Sequence, residues 1–402
     1  MKPGYRSARQ AAADLGISLP TLYAYVSRGL IRSEGSRSSR ERRYRTEDIE
    51  ALNARKQRRD PGKVAEAALH FGLPVLDSAI SLISGDKLYY RGRDVTTLAG
   101  ATTLEQIAAL LWNGDLGAPL PDATADLPRG QWQRLAATMA ALTPIDAFQM
   151  VLPIAAAHDP TAYDLRPAAV QRAGLRILRL LAAAAARRSP GSEPIARTLQ
   201  RGWAPRAASA RPLLETALVL CADHELNPST FTARCVASAR STPYAVVAGG
   251  LATLQGALHG GTCERIEALF DEVGSPARAE SVVGARLRRG EMLPGFGHPL
   301  YVKPARDPRA VILLERIRGA RGATRGAVLA RTLVERVRTL VDVEPTIDFA
   351  VVALRRALDL PAGSAVAVIA IGRTVGWIAH AIEQYQDERL IRPRARYVGV
   401  MP

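Results

Sequence analysis

Aromatic side chains are scarce in this 402-residue chain, only 5% of the total, and there are just three cysteines and six histidines. The apolar share is nevertheless 48%, made mainly of Ala, Leu and Val. Because Ala and Leu are strong helix formers, this balance favours a mostly helical body over a β-sandwich. The cysteines at 221, 235 and 263 are an odd number without metal-type spacing, so the expectation is reduced thiols, a cytoplasmic protein and no metal. No uninterrupted apolar run reaches about 18 residues, and no apolar stretch of signal-peptide length follows Lys2 and Arg6. Also missing are GxGxxG after a strand, GxxxxGK[ST], HExxH, GxSxG and CxxC, which removes the commonest nucleotide, metalloprotease and serine-hydrolase readings. No repeat, low-complexity tract or sustained heptad is present. The length implies two or three folded units.

Acidic residues are under-represented, giving a net charge of +16, and the imbalance is uneven. Residues 1–63 hold fifteen Lys and Arg against seven Asp and Glu, so the first sixth of the chain carries half the excess. Such asymmetry suggests a front end that meets a polyanion. Within it, Ser7 and Gln10 form a capping box opening a helix over Ser7–Leu15. Gly16 ends that helix, and Ser18 caps a second, which Arg28-Gly29 stops. Ala11, Ala12, Leu15, Ile17, Leu22 and Val26 can share one small core. Two short helices joined by a glycine turn are the form of a helix-turn-helix. An arginine-rich hairpin is expected over 32–45, a third helix from Thr46, and a charged linker with a Pro-Gly break over 53–63.

From about residue 64 the sequence changes to Ala- and Leu-rich helical windows divided by Gly and Pro. "RPLLETALVLCADHEL" has helical apolar spacing, and the glycines of "TPYAVVAGGLATLQGAL" permit close helix packing. "AISLISG" and "KLYYRG" read as a hairpin. Polar residues gather at breaks in the C-terminal half. His224 lies in "ADHELNPST", where Asn227-Pro228-Ser229 begins a helix. His259 lies in "GALHGGT", and His298 in "GFGHPLY". The remaining His70, His158 and His380 read as structural. Asp348 in "EPTIDFAVVAL" starts an apolar helix; it can be a plain cap or, desolvated beside imidazoles, a base for a weak carbon acid. Arg373 stands in an apolar segment and must find an anion or an internal partner.

Two resemblances follow. "LYAYVSRGLI" followed by "RRYRTEDIEAL" resembles the winged helix-turn-helix of MerR-type regulators. That implies duplex DNA binding by residues 1–60, with Thr21, Tyr23 and Tyr25 on or near a recognition helix and Arg37, Arg40, Arg42 and Arg43 near phosphates. "DHELNPSTFTAR", "GALHGGT", "PGFGHPLY…DPRA", "PTIDFA", "GRTVGWIAHAIEQ" and "IRPRARYVG" look like citrate synthase blocks, in that family's order.

The second resemblance implies an all-α domain over 61–402, with a large part at about 64–259 and 348–402 and a small part at about 260–347. It implies no cofactor, with acetyl-CoA and oxaloacetate as substrates, and a homodimer. By the same resemblance Asp348 removes a methyl proton, His259 donates a hydrogen bond to the enolate oxygen, and His298 hydrogen-bonds to and protonates the ketone oxygen of oxaloacetate. His224, Arg309, Arg373 and, from a second subunit, Arg392 bind oxaloacetate. The loop Leu293, Pro294, Gly295, Phe296 and Gly297 meets CoA with Lys303, and Arg286, Arg288 and Arg289 lie near its phosphates. Two departures stand out: a longer stretch between His298 and Asp307, and "PTID" in place of Asn-Val-Asp. Propionyl-CoA as donor, giving 2-methylcitrate, is equally open. The alternative is a transcriptional regulator whose silent synthase-like body senses a metabolite.

Overall fold

In the computed structural model the described residues are 5–15, 17–27, 30–35, 42–49, 76–123, 125, 127–128, 130–301, 306–320, 324–387, 389–395 and 397–401. The chain divides into two compact units: Met1–Asp77 with Arg392–Pro402, and Ser78–Ile391. In the first, the capping box closes, with Ser7 N donating to Gln10 Oε1 at 3.1 Å and Gln10 N to Ser7 Oγ at 3.3 Å. It opens α1 (Ala8–Leu15), and α2 (Leu19–Ser27) follows. Strands β1 (Tyr5–Arg6), β2 (Ser33–Gly35) and β3 (Arg42–Arg45) form an antiparallel sheet in the order β1-β3-β2, and residues 46–49 are helical. Ala11, Ala12, Leu15 and Leu22 are buried as expected, together with Ile31, Tyr44 and Ile49, while Ile17 and Val26 pack at the edge. The helix stop at Arg28-Gly29, the hairpin tip and the linker lie outside the described residues.

The second unit opens with the expected hairpin, β4 (Ser81–Ser84) with β5 (Lys87–Tyr90), extended by β6 (Arg93–Asp94). All-α therefore needs one amendment, a three-stranded sheet in an otherwise helical body. Tyr90 explains the sheet's position. Its buried hydroxyl bonds Val219 O and Asp223 O, each at 3.1 Å, and accepts from Asp223 N. The helices are α3 (Val95–Leu98), α4 (Leu104–Asn113), α5 (Gln131–Met139), α6 (Pro144–Ala157), α7 (Pro167–Ala186), α8 (Ile195–Trp203), α9 (Ala210–Leu220), α10 (Pro228–Ser238), α11 (Pro243–Leu254), α12 (Thr262–Val273), α13 (Ala279–Arg288), α14 (Pro308–Gly319), α15 (Arg325–Val341), α16 (Ile347–Ala357) and α17 (Ser364–Gln386).

The 23-residue α17 is apolar and long enough to cross a membrane, but 94% of its most apolar window is buried. It is the central core helix, contacted by α4, α6, α7, α9, α10 and α11. Burial on all sides accounts for its lack of a polar face. Close approach is purchased with glycine: a Cβ at Gly250 of α11 would lie 2.6 Å from the Trp377 indole. At one end of this core, α16 packs against α12, α14, α15 and α17. Asp348 lies in the first turn of α16.

Candidate active site

The glycines around His298 have a backbone reason. Gly295 and Gly297 adopt φ of +82° and +79°, the left-handed region that costs glycine nothing and other residues strain. A Cβ at Gly295 would also meet Ile266 at 2.8 Å. The loop's apolar side chains turn inward: Leu293 and Phe296 are buried, and the Phe296 ring sits 4.8 Å from Phe349 of α16. Two backbone hydrogen bonds then stitch the loop to the segment before α16, Gly297 N to Glu344 O and Thr346 N to Gly295 O, both 2.9 Å. The histidine and the aspartate thus belong to one sewn unit, although fifty residues of sequence separate them.

His298 Nδ1 accepts from Leu300 N at 3.1 Å, so the neutral ring carries its proton on Nε2 as a free donor. Burial and then the charge of Arg309 push its pKa down to about 4, against a smaller opposing effect of Asp307. The Asp348 carboxyl is half-buried and pushed above the ordinary aspartate value by desolvation; Arg309 and Arg373 oppose that rise and Asp307 supports it. Thr346 stands at the position of the family's asparagine, and its hydroxyl reaches Asp348 Oδ2 only at 3.5 Å, a weak bond at best.

The longer stretch after His298 does not carry Arg309 away. Arg309 is buried, and its Nε and one terminal nitrogen pair side by side with Asp307, each at 2.9 Å. Its charge reaches Asp348, His298 and His224. Arg373 is also buried, yet it donates from Nε to Cys221 O at 3.0 Å, and among the described residues no carboxylate lies within ion-pair distance of it. Its charge reaches His259, His224 and Asp348.

His224 is buried against Tyr301 Oη at 3.0 Å, with its ring edge-on to His298 at 5.3 Å between centroids. Burial holds its pKa well below 6.5. Asn227 caps α10 as the sequence predicts: its Oδ1 accepts from Ser229 N and Thr230 N. That oxygen also lies 2.7 Å from the Ser229 hydroxyl, while the other side of Ser229 Oγ meets His259 Nε2 at 2.9 Å. One hydroxyl proton has two claimants. Turned to Asn227, it leaves His259 with Nε2–H; turned to His259, it makes Nδ1–H the free donor. Burial and Arg373 push the His259 pKa down to about 4. All three imidazoles are neutral at pH 7.

Of the expected set, His224, His259, His298, Asp348, Arg309 and Arg373 therefore share one electrostatic neighbourhood. Arg392 is exposed and falls in the segment grouped with the first unit. Lys303, Arg37 and Arg40 lie outside the described residues. Pro294 is half-buried, and Arg286 and Arg289 are engaged by Glu272 and Glu291. Thr21 and Tyr25 are partly covered, whereas Tyr23, Arg42 and Arg43 are exposed. Sequence reasoning passed over Asp307, Tyr301 and Ser229. His380, read as structural, has its Nε2 3.4 Å from the buried Asp223 carboxylate, with Arg234 on its far side. The Asp-Pro and Asn-Pro helix starts were the available signals for Asp307 and Ser229. Among the described residues no cluster of three or more His, Cys, Asp or Glu could hold a metal ion.

A half-buried carboxylate of raised pKa, neutral imidazole donors and two buried guanidinium groups are the kinds of group that proton abstraction and carbonyl polarisation beside an anion require. Residues 69–394 match the family described as citrate synthase, C-terminal domain. The citrate synthase of Haloferax volcanii is 32% identical over 360 residues, covering 82% of this chain and 94% of that protein. The 2-methylcitrate synthase of Mycobacterium tuberculosis is 31% identical over 354 residues, covering 82% and 89%. The crystal structure of citrate synthase from Thermotoga maritima superposes with a TM-score of 0.68 at 28% identity, covering 82% of this chain and 95% of that one. The chain belongs to the citrate synthase family.

Proposed function

We propose that the protein condenses an acyl-CoA, acetyl-CoA or propionyl-CoA, with oxaloacetate and hydrolyses the resulting thioester. The Asp348 carboxylate takes the proton from the carbon beside the thioester, and His259, with Nδ1–H free, donates to the enolate oxygen. The carbanion attacks the ketone carbon of oxaloacetate while His298 Nε2–H stabilises the developing alkoxide. Water then displaces the CoA thiol. A pKa of about 4 for both rings makes them neutral hydrogen-bond donors rather than stores of imidazolium protons. Arg309, Arg373 and His224, with Arg392 from a second subunit of a homodimer, take the two carboxylates. The backbone of 293–297 with Lys303 receives CoA. Motion of the 260–347 part against 64–259 and 348–402 brings the groups together.

The observation that carries this reading is the raised pKa of the half-buried Asp348 carboxyl, which feels the same Arg309 and Arg373 charges that join burial in holding His298 and His259 neutral. A sensor needs the arginines but has no use for the base. Thiol release from acetyl-CoA and propionyl-CoA in the presence of oxaloacetate tests it, and the more reactive donor settles the acyl preference. Binding of oxaloacetate without thiol release from either donor supports the silent-sensor alternative instead.

The first unit carries a second reading: residues 1–60 bind duplex DNA as a winged helix-turn-helix. Its support is the two capped helices over one small core, the exposed Arg42 and Arg43 and the charge excess. Binding to DNA upstream of its own gene should weaken steeply with salt and vanish when residues 1–60 are removed. Salt-insensitive or truncation-insensitive binding would count against it.

A further inference from the structure

Arg309 does not approach its ligand freely. Asp307 precedes Pro308 at the start of α14, is 2% exposed, and makes every hydrogen bond its two oxygens can usefully accept. Oδ1 accepts from Arg309 N at 3.1 Å, capping α14, and from Arg309 Nε at 2.9 Å. Oδ2 accepts from an Arg309 terminal nitrogen at 2.9 Å and from Ile347 N at 3.0 Å. Ile347 is the first residue of α16 and the immediate neighbour of Asp348. One carboxylate therefore closes an N-terminal turn on each of two helices and holds the guanidinium fork between them.

We propose that Asp307 is a positioning residue that makes the arginine clamp and the catalytic-base helix a single rigid joint. The inference rests on the reaction assigned above to Asp348 and Arg309. Paired nitrogens fix the guanidinium plane, so its remaining N–H groups point in one direction rather than sweeping a cone. The bond to Ile347 N carries that orientation into the first turn of α16, so a displacement of the clamp on closing over an anion must displace Asp348 as well. The same carboxylate neutralises Arg309 next to the base. The groups whose charge reaches Asp348 are Arg309 and Asp307 from α14 and Arg373 from α17. The Cys221 and Cys263 thiols, whose own titration Asp348 raises, border it after α9 and on α12. Without Asp307, the buried Arg309 charge faces Asp348 without its paired carboxylate.

The test is Asp307→Asn in the full-length protein, which keeps the size and removes the charge and one side of the fork. The kcat for thiol release should fall tenfold or more. The acid limb of the kcat profile should move down by about one pH unit, because an opposite charge within a few ångströms favours the ionised carboxylate. A purely structural defect lowers the amplitude without moving the limb, so a folded variant with an unmoved limb overturns the proposal. Asp307→Glu restores the charge but lengthens the arm; it should bring back the wild-type limb while kcat stays low. If Asp307→Asn does not fold, Asp307→Glu decides alone, and wild-type kcat with wild-type oxaloacetate KM in that variant overturns the joint.

If the wild type releases no thiol from any donor, the assigned reaction has failed. The joint is then read directly, by infrared titration of the Asp348 carboxyl in protein labelled with ¹³C-aspartate, with Asp348→Asn as the blank. A downward move of about one unit on Asp307→Asn supports it, and an unchanged titration overturns it.

Discussion

Arg309 and Arg373 are two buried guanidinium groups in one site, 2% and 5% exposed, with opposite internal arrangements. Arg309 is matched edge to edge by Asp307 before any ligand arrives. Among the described residues Arg373 hydrogen-bonds only the Cys221 carbonyl, and the Asp223 carboxylate feels its charge without an ion pair. Burying a cation away from its counter-ion costs several kcal/mol; the charge that reaches Arg373 from the buried Asp223 carboxylate offsets part of that cost without a direct ion pair. The difference separates two arrangements that the word clamp merges: Arg309 is held by an internal carboxylate, and Arg373 by a backbone carbonyl.

The comparison breaks most visibly through stability. Arg309→Leu strands the Asp307 carboxylate in the core and should lower stability by about 3–5 kcal/mol, the cost of leaving a buried ion unpaired. Arg373→Leu removes a buried charge that has no ion pair among the described residues, and should leave the denaturation midpoint near that of the parent. Equal losses in the two variants, measured by chemical denaturation without ligand, would erase the distinction. Ligand binding sharpens it from the other side. Arg373→Leu should raise the oxaloacetate KM roughly a hundredfold, the range for truncating one half of a buried charge pair, and should abolish the thermal stabilisation that oxaloacetate gives the parent.

A smaller effect is expected at Ser229. Ser229→Ala removes the hydroxyl that holds the His259 ring, and kcat should drop about tenfold with KM for oxaloacetate little changed, since one hydrogen bond is worth about 0.5–1.5 kcal/mol. Smallest is the pH response. The folded pKa of His259 and of His298 lies near 4, below the unfolded value of about 6.5. Between those values the unfolded chain binds more protons, so stability contributed by the neutral rings is complete above pH 6.5 and is lost as pH falls toward 4. Melting temperature against pH should slope in that window, and His298→Gln should make the slope shallower.

Much of this was legible in the sequence because it is local. Capping boxes, Asn-Pro and Asp-Pro helix starts, the hairpin around Gly85 and the glycine pair around His298 all act within a few residues, and each formed where its signal stands. An arginine in an apolar run correctly marked Arg373, since burial of a charge demands a partner whatever the fold. What escaped is what only three-dimensional proximity creates. Asp307 was passed over; its hold on Ile347, forty residues away, is invisible until α14 meets α16. Ser229 reads as a first-turn serine, and its contact with His259 needs the turn after α11 to return beside α10. His380 was readable as structural, but its partners Asp223 and Arg234 were not, because they arrive from other elements.

The central claim is that Asp348 acts as a base on the carbon beside a thioester. It is tested most directly by tritium or deuterium exchange from the acyl methyl group of acetyl-CoA, run with thiol release, in the parent and in Asp348→Asn. The account predicts oxaloacetate-dependent thiol release in the parent and a loss of about a hundredfold or more in both readouts in the variant. Parent-level exchange and thiol release from folded Asp348→Asn would contradict it.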